Sequence, residues 1–180
     1  TYPNAKAVAV SKPSVKGRSK IEAGYLSGDM RKFFVPCPHC GEYQVLLWSQ
    51  MKWEKSPSGD REVWYECPYC KGKLKNYHKE LMLKKGQWRP TNPNRVSKRV
   101  RSYQISSLYA PVGWTTWESL VEQWLDSQGN VNKLISFIND ELAETWEEKS
   151  QQQDWEVLRG RKEAWRSGEI HEEILMLTAG

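Results

Sequence analysis

Apolar and polar positions along this chain fall into short runs, and each run predicts an element. Residues 5–11, AKAVAVS, alternate and predict a short strand. KPSVKGRS follows as a loop, punctuated by Pro13 and Gly17. Ser19 is placed to cap a helix from about Lys20 to Leu26, which Gly28 stops. RKFFVP and YQVLLW predict strands, KSPSGDRE a turn, and EVWYE a further strand. Asn76 is placed to cap a helix over YHKELMLKK, ended by Gly86. QWRPTNPN reads as irregular because Pro90 and Pro93 break it, and RVRSYQISSLY returns to strand. From Thr116 the period becomes helical: Trp117, Leu120, Val121, Trp124 and Leu125 share a face until Gly129. Val131 to about Glu144 predicts a second helix, with Leu134, Ile135, Ile138 and Leu142 on one side. A weaker helix starts at Asp154, and the terminal ILMLTAG is apolar enough for a buried strand. The mixture is α+β.

Length and composition narrow this picture. A chain of 180 residues holds one substantial domain or two small ones. Mean hydropathy is low, −0.77, yet there are 10 Trp and 8 Tyr, so the core is expected to be largely aromatic. No apolar run approaches the roughly 20 residues a membrane helix needs, and no signal-peptide pattern opens the chain. The start, TYPN, reads as cut from something longer. The formal charge of +5 conceals a division. Residues 1–101 carry 21 Lys and Arg against 8 Asp and Glu; residues 102–180 carry 6 against 14. A basic front of this kind suits a polyanionic partner, though an unevenly charged soluble surface gives the same count.

The chain's four cysteines form two matched knuckles, Cys37-Pro38-His39-Cys40-Gly41 and Cys67-Pro68-Tyr69-Cys70-Lys71-Gly72. Thiolates three apart on a tight turn point at one centre, and proline fixes the turn's φ. Two such knuckles make a closed site of four thiolates, which is structural zinc chemistry. The 26 residues between Cys40 and Cys67 accommodate a hairpin, the plan of a zinc ribbon. Disulfides would call for signs of secretion, and a thioredoxin-like redox pair for one such motif beside a βαβ unit. His39 and His78 are therefore expected to stay off the metal, and a closed site leaves no position open for metal catalysis. No G-x-x-x-x-G-K-[ST], G-x-S-x-G, H-E-x-x-H or G-x-G-x-x-G motif occurs. Glu147, Glu148, Glu172 and Glu173 read as solvated helix faces.

In order, VSKPSVKGRSKIEAGYLSGDMRKFFVPCPHCGEYQVLLW, the second knuckle, Gly86-Gln87-Trp88, ISSLYAP, the Trp-rich helix, FINDELAETWE and ILMLTAG resemble the middle of the phage terminase large subunit, lambda GpA-like family. The resemblance implies a viral DNA-packaging motor with an N-terminal ATPase using ATP and Mg²⁺ and a C-terminal endonuclease. Its Walker motifs would lie before Thr1 and its first nuclease metal-binding Asp after Gly180, so this chain is expected to be inactive alone. Residues 1–30 would be the tail end of an ATPase-like α/β core and 31–75 a zinc-ribbon insertion. Residues 76–128 would return to that core, and 129–180 would be a helical linker toward the nuclease domain. The family's coupling turn, Ser-Thr-Pro-like, matches here at Ser11 and Pro13, with Lys12 in place of Thr; a plain strand-to-loop turn reads the same way. Double-stranded DNA, a portal and a small terminase subunit are the implied partners, and the host cytoplasm the implied location.

Two other classes remain open at this point. One is a free-standing zinc-ribbon module binding nucleic acid through RVSKRVR, where Arg95, Lys98, Arg99 and Arg101 would meet phosphates. On a strand, Arg99 and Arg101 would share a face with Lys98 opposite; the same run also suits a solvated edge strand. The other is a protein-docking module that uses the helix from Trp117 to Trp124, a stretch that core packing explains more simply.

Overall fold

A computed structural model describes residues 5–55, 61–94 and 99–147. All lie in the first of two units into which the chain divides, Thr1–Glu148. The second, Lys149–Gly180, falls outside the described residues, and with it the helix expected from Asp154 and the strand ILMLTAG. The described part is α+β, with two antiparallel-rich sheets and helices packed on their apolar faces.

The first helix, α1, spans Lys20–Ser27. Ser19 stands at its N-cap, but the hydroxyl accepts the Ser14 N–H at 3.2 Å instead of closing on its own helix. Gly28 ends α1 where a Cβ would sit 2.3 Å from Ser102 Oγ, so only glycine admits this approach. Asp29 follows, 1% exposed. Its carboxylate accepts the Ser102 N–H at 3.1 Å and Arg31 Nε at 2.8 Å. Its carbonyl accepts the N–H groups of Thr91 and Asn92 at 3.1 and 3.2 Å. One acidic residue thus gathers two distant segments, residues 91–92 and Ser102, around the start of strand β1, Arg31–Pro36.

Strand β1 is the axis of the first sheet. It pairs antiparallel with β2, Tyr43–Gln44, and with β6, Gln87–Arg89, and parallel with β7, Tyr103–Gln104. The irregular reading of QWRPTNPN is corrected here. Its first three residues form a strand, and Pro90 only terminates it. Phe33 and Trp88 face each other across the pair with ring centroids 5.1 Å apart, and that contact sets the register.

The second sheet is β3, Met51–Lys55, β4, Arg61–Glu66, and β5, Lys73–Leu74, all antiparallel. Met51 lies opposite Tyr65, Trp53 opposite Val63, and Tyr65 opposite Leu74, so one face is apolar and enters the core. The strand expected over YQVLLW survives only at Tyr43–Gln44. Beyond it the backbone leaves the ladder because two buried tyrosines satisfy it instead. Tyr65 Oη donates to Val45 O and accepts the Leu47 N–H, both at 3.3 Å. Tyr109 Oη donates to Phe33 O at 2.8 Å and accepts the Leu46 N–H at 2.6 Å. A 3-10 turn, Trp48–Gln50, then leads into β3.

Two further strand expectations are corrected. Residues 5–11 form no strand: Val8 and Val10 are 86% and 90% exposed, with no ladder beside them among the described residues. In RVRSYQISSLY only Tyr103–Gln104 is strand, and Ser107–Tyr109 is a 3-10 turn that delivers Tyr109 to the core.

The helical expectations fare better. Helix α2 spans His78–Lys84, α3 spans Trp117–Ser127, and α4 spans Val131–Ser136 before a π-helical turn, Phe137–Glu141. Thr116 caps α3 in a reciprocal box with Ser119. Asn76 does not cap α2; its Oδ1 accepts the Trp117 N–H at 3.3 Å and ties the two helices together. Trp117, Leu120 and Val121 are fully buried, so the Trp-rich face is core.

Lys79 of α2 is also fully buried. Its ammonium donates to Thr115 O at 2.8 Å and lies 5.6 Å from the Trp117 ring centre. Burial pushes its pKa down from 10.5 to about 8, opposed by the charge of Glu118. Between about pH 8 and 10.5 the unfolded chain keeps this proton and the native chain does not, so stability rises with pH across that window. At neutral pH the native state carries a poorly solvated charge. Lys79→Met is therefore expected to stabilise the protein by about 1 kcal/mol at pH 7 and to flatten the rise above pH 8. Urea unfolding at pH 7 and pH 9.5 checks this. A loss of stability at pH 7 would mean that the hydrogen bond to Thr115 outweighs the desolvation.

Candidate metal centre

The four cysteines come together at the mouths of the two sheets. The first knuckle hangs between β1 and β2, the second between β4 and β5. Their backbones repeat each other. Cys37 N–H donates to Glu42 O at 2.9 Å and Gly41 N–H to Cys37 O at 2.8 Å. Cys67 N–H donates to Gly72 O at 3.1 Å and Lys71 N–H to Cys67 O at 3.0 Å. The left-handed residue is Gly41 in one knuckle, φ 80°, and Lys71 in the other, φ 59°. Gly72 serves a different purpose. A Cβ there would lie 2.8 Å from the His39 ring and 3.2 Å from Cys70 Sγ.

All four Sγ atoms lie within 4.8 Å of one another. Cys37 and Cys70 sulfurs are 3.9 Å apart, as are those of Cys40 and Cys67. That is far beyond a disulfide, and all four cysteines are free. Four sulfurs bonded tetrahedrally at about 2.3 Å to one ion stand about 3.8 Å apart. The donor set and spacing therefore fit such an ion. Cys37 and Cys67 are buried, and Cys40 and Cys70 sit at the surface. Burial raises the Cys37 thiol to about 12, against the pull of the Cys40 and His39 backbone groups. At Cys70 the Gly72 backbone hydrogen bond holds the thiol below its usual range. Amides aimed at sulfur favour thiolate, the form that binds metal.

The histidines turn elsewhere. His39 Nε2 lies 3.3 Å from Lys73 O, and His78 Nδ1 accepts the Lys75 N–H at 2.9 Å. Their rings meet edge to face at 5.5 Å.

The other described residues singled out in the sequence do not join this centre. Arg95 and Lys98 lie outside the described residues. Arg99 and Arg101 are exposed but precede β7, so they do not share a strand face. Ser11 Oγ donates to Lys12 O at 3.0 Å, Pro13 is half-buried, and Lys12 pairs with Asp140 at 2.8 Å. This turn is strapped to the far end of the unit. Val15 bridges Trp146, Lys16 N–H donates to Trp146 O, Trp146 N–H donates to Ser14 O, and Lys16 pairs with Glu147.

Among the described residues no helix is long and apolar enough to cross a membrane. Comparison with known proteins gives two family matches in sequence order. Residues 1–88 match the ATPase domain of the phage terminase large subunit gpA, and residues 100–180 match the endonuclease domain of the same subunit. The chain is 30% identical to the terminase large subunit of Enterobacteria phage P21 and 29% identical to that of Escherichia phage lambda, over 97% of its own length in each case. It spans 30% of the length of each of these relatives. No solved structure matches it. With these two segments matched in this order and the two relatives aligned over nearly the whole chain, the chain belongs to the phage terminase large subunit family, of the gpA type.

Proposed function

We propose that the chain is the central portion of a DNA-packaging terminase large subunit, where it joins an ATP-driven translocase to an endonuclease. The observation that carries this is the succession of the ATPase match over residues 1–88 and the endonuclease match over 100–180. The four-thiol cluster holds a structural Zn²⁺ through Cys37, Cys40, Cys67 and Cys70. Four sulfurs within 4.8 Å of one another, two pairs of them 3.9 Å apart, support zinc in that role. Residues 31–75 are a zinc-ribbon insertion hung on β1, the strand that also pairs with β6 and β7. Residues 1–30 and 76–88 fall on the ATPase side, and residues 100–180, which include the 129–180 link, on the endonuclease side. In the whole protein ATP and Mg²⁺ act in segments other than this one. Double-stranded DNA, portal and small subunit are the partners, in the host cytoplasm.

Ser11 and Pro13 serve as the coupling turn in this reading. Its strap to residues 146–147 supports a mechanical link between the two matched segments. Arg95, Lys98, Arg99 and Arg101 contact DNA phosphates.

The isolated chain is expected to bind duplex DNA weakly and without sequence preference, with Kd on the order of 10⁻⁴ to 10⁻⁶ M at physiological salt. It is expected neither to hydrolyse ATP nor to cut DNA. Binding to two unrelated duplexes across a salt series, with ATPase and nickase assays on the same fractions, tests this. ATPase or nuclease activity co-purifying through several columns, or affinity indifferent to salt, would overturn the reading.

A further inference from the structure

We infer that the solvent face of the β2–β1–β6 sheet is a second DNA-backbone contact, built on Lys32 and Arg89. The inference deepens the proposed function by giving its DNA a surface outside the RVSKRVR run.

The register carries the argument. Lys32 on β1 lies directly opposite Arg89 on β6, Phe34 opposite Gln87, and Pro36 opposite Tyr43 on β2. These six residues share one face, and Phe33, Val35 and Trp88 take the other. Like charges directly opposed across an antiparallel pair destabilise it. Keeping two there makes sense where an anion spans them.

Arg89 is held for that purpose. Its guanidinium carbon lies 4.3 Å from the Tyr43 ring centre and 5.2 Å from that of Phe34. Nε and Nη2 donate to Gln87 Oε1 at 3.3 and 3.0 Å. Gln87 Nε2 donates to Tyr43 Oη at 3.2 Å, and Tyr43 Oη donates to Lys85 O at 3.2 Å. The chain of bonds ends on backbone, so the guanidinium is fixed before any ligand arrives. Arg89 forms no ion pair among the described residues. Glu144 lines the same cavity as Lys32 and interacts with it electrostatically.

A planar guanidinium fixed on aromatic rings, beside a lysine, matches adjacent phosphates of a nucleic-acid backbone. The outer face of the β3–β4–β5 sheet makes an internal comparison. There Glu54 lies directly opposite Glu62, but Lys52, Lys73 and Lys75 lie around the acidic side chains and Lys75 pairs with Glu62. That face is balanced, and the Lys32–Arg89 face is not.

The test uses the full zinc-loaded chain and a duplex of about 30 base pairs, from about 0.05 to 0.2 M salt. Removing both charges, Lys32→Ala with Arg89→Ala, is expected to weaken binding roughly tenfold and lower the salt slope by up to about two units. Lys20→Ala with Lys52→Ala removes the same charge elsewhere and is expected to change the slope much less. Zinc content and far-UV circular dichroism confirm folding. If the alanine pair fails to fold, Lys32→Gln with Arg89→Gln carries the same comparison. Equal losses in the two charge-matched pairs would reduce the effect to net charge and overturn the inference. Unchanged binding in the Lys32/Arg89 pair, with loss in Arg99→Ala/Arg101→Ala, would also overturn it while leaving the proposed function intact. Absence of duplex binding by the wild-type chain at 0.05 M salt would remove both.

Discussion

Stripping the metal is expected to unfold the segment from Cys37 to Leu74 and to destabilise the remainder. In small zinc domains the free energy of metal binding is folding free energy, on the order of 10 kcal/mol, which rivals the entire stability of a typical domain. Here the cysteines are not peripheral. Cys37 and Cys67 belong to the same buried cluster as Met51, Val63, Tyr65, Leu74 and Trp117. Without an ion, Cys37 keeps its proton at neutral pH because burial holds it at about 12, and the sulfurs have no shared bonds to hold the two knuckles together. Cys67→Ser is expected to give the same outcome as chelation, since the buried sulfur cannot be replaced by a weakly ligating hydroxyl. His39→Ala is expected to retain the metal, because the ring contacts Lys73 O and His78 and completes no coordination sphere. Metal analysis of freshly purified, reduced protein should find about one zinc per chain. Zinc-free protein with four freely reactive thiols would sink the assignment, as would loss of zinc in His39→Ala.

The knuckles were legible in the sequence because their information is local. Proline, spacing and the following small residue constrain a few consecutive dihedrals, and the structure closes both turns with matching hydrogen bonds. The two glycines differ in role: Gly41 supplies a left-handed φ, and Gly72 supplies room for His39. Helix α3 was legible through its period, which begins after Thr116. What escaped depends on distant partners. YQVLLW has strand composition, but Tyr65 and Tyr109 take over its backbone groups. Gln87–Arg89 looked broken by Pro90, and only the Phe33–Trp88 contact reveals it as a strand. With β6 unseen, the opposition of Lys32 and Arg89 could not be read either. Lys79 sits in a polar helical run that suggests a solvated face, yet α2 turns that side onto Trp117. Asn76 carries a strong local cap signal, and a helix 41 residues away claims it.

Trp117→Ala is expected to be the most damaging single substitution away from the metal, costing about 4 to 5 kcal/mol. The indole is fully buried and the first residue of α3. Its loss opens a cavity between Tyr65, whose ring centroid is 5.8 Å away, and the base of α2. It also strands two polar groups. Leu108 O loses the Nε1–H bond at 3.0 Å, and the Lys79 ammonium loses the aromatic face beside it while keeping only Thr115 O. An unpartnered buried carbonyl adds about 1 to 3 kcal/mol to the cavity term, which places this site at the upper end of tryptophan truncations. Because Leu108 precedes Tyr109, the 3-10 turn that presents the Tyr109 hydroxyl to Phe33 and Leu46 is expected to loosen as well. Trp117→Phe keeps most of the volume and removes the N–H donor, so its expected cost is about 1 to 2 kcal/mol. The difference between the two variants separates packing from the hydrogen bond. Urea unfolding of the zinc-loaded proteins measures both, and a cost below about 2 kcal/mol for Trp117→Ala would show that the region collapses onto the cavity and that α3 is not the keystone of the aromatic core.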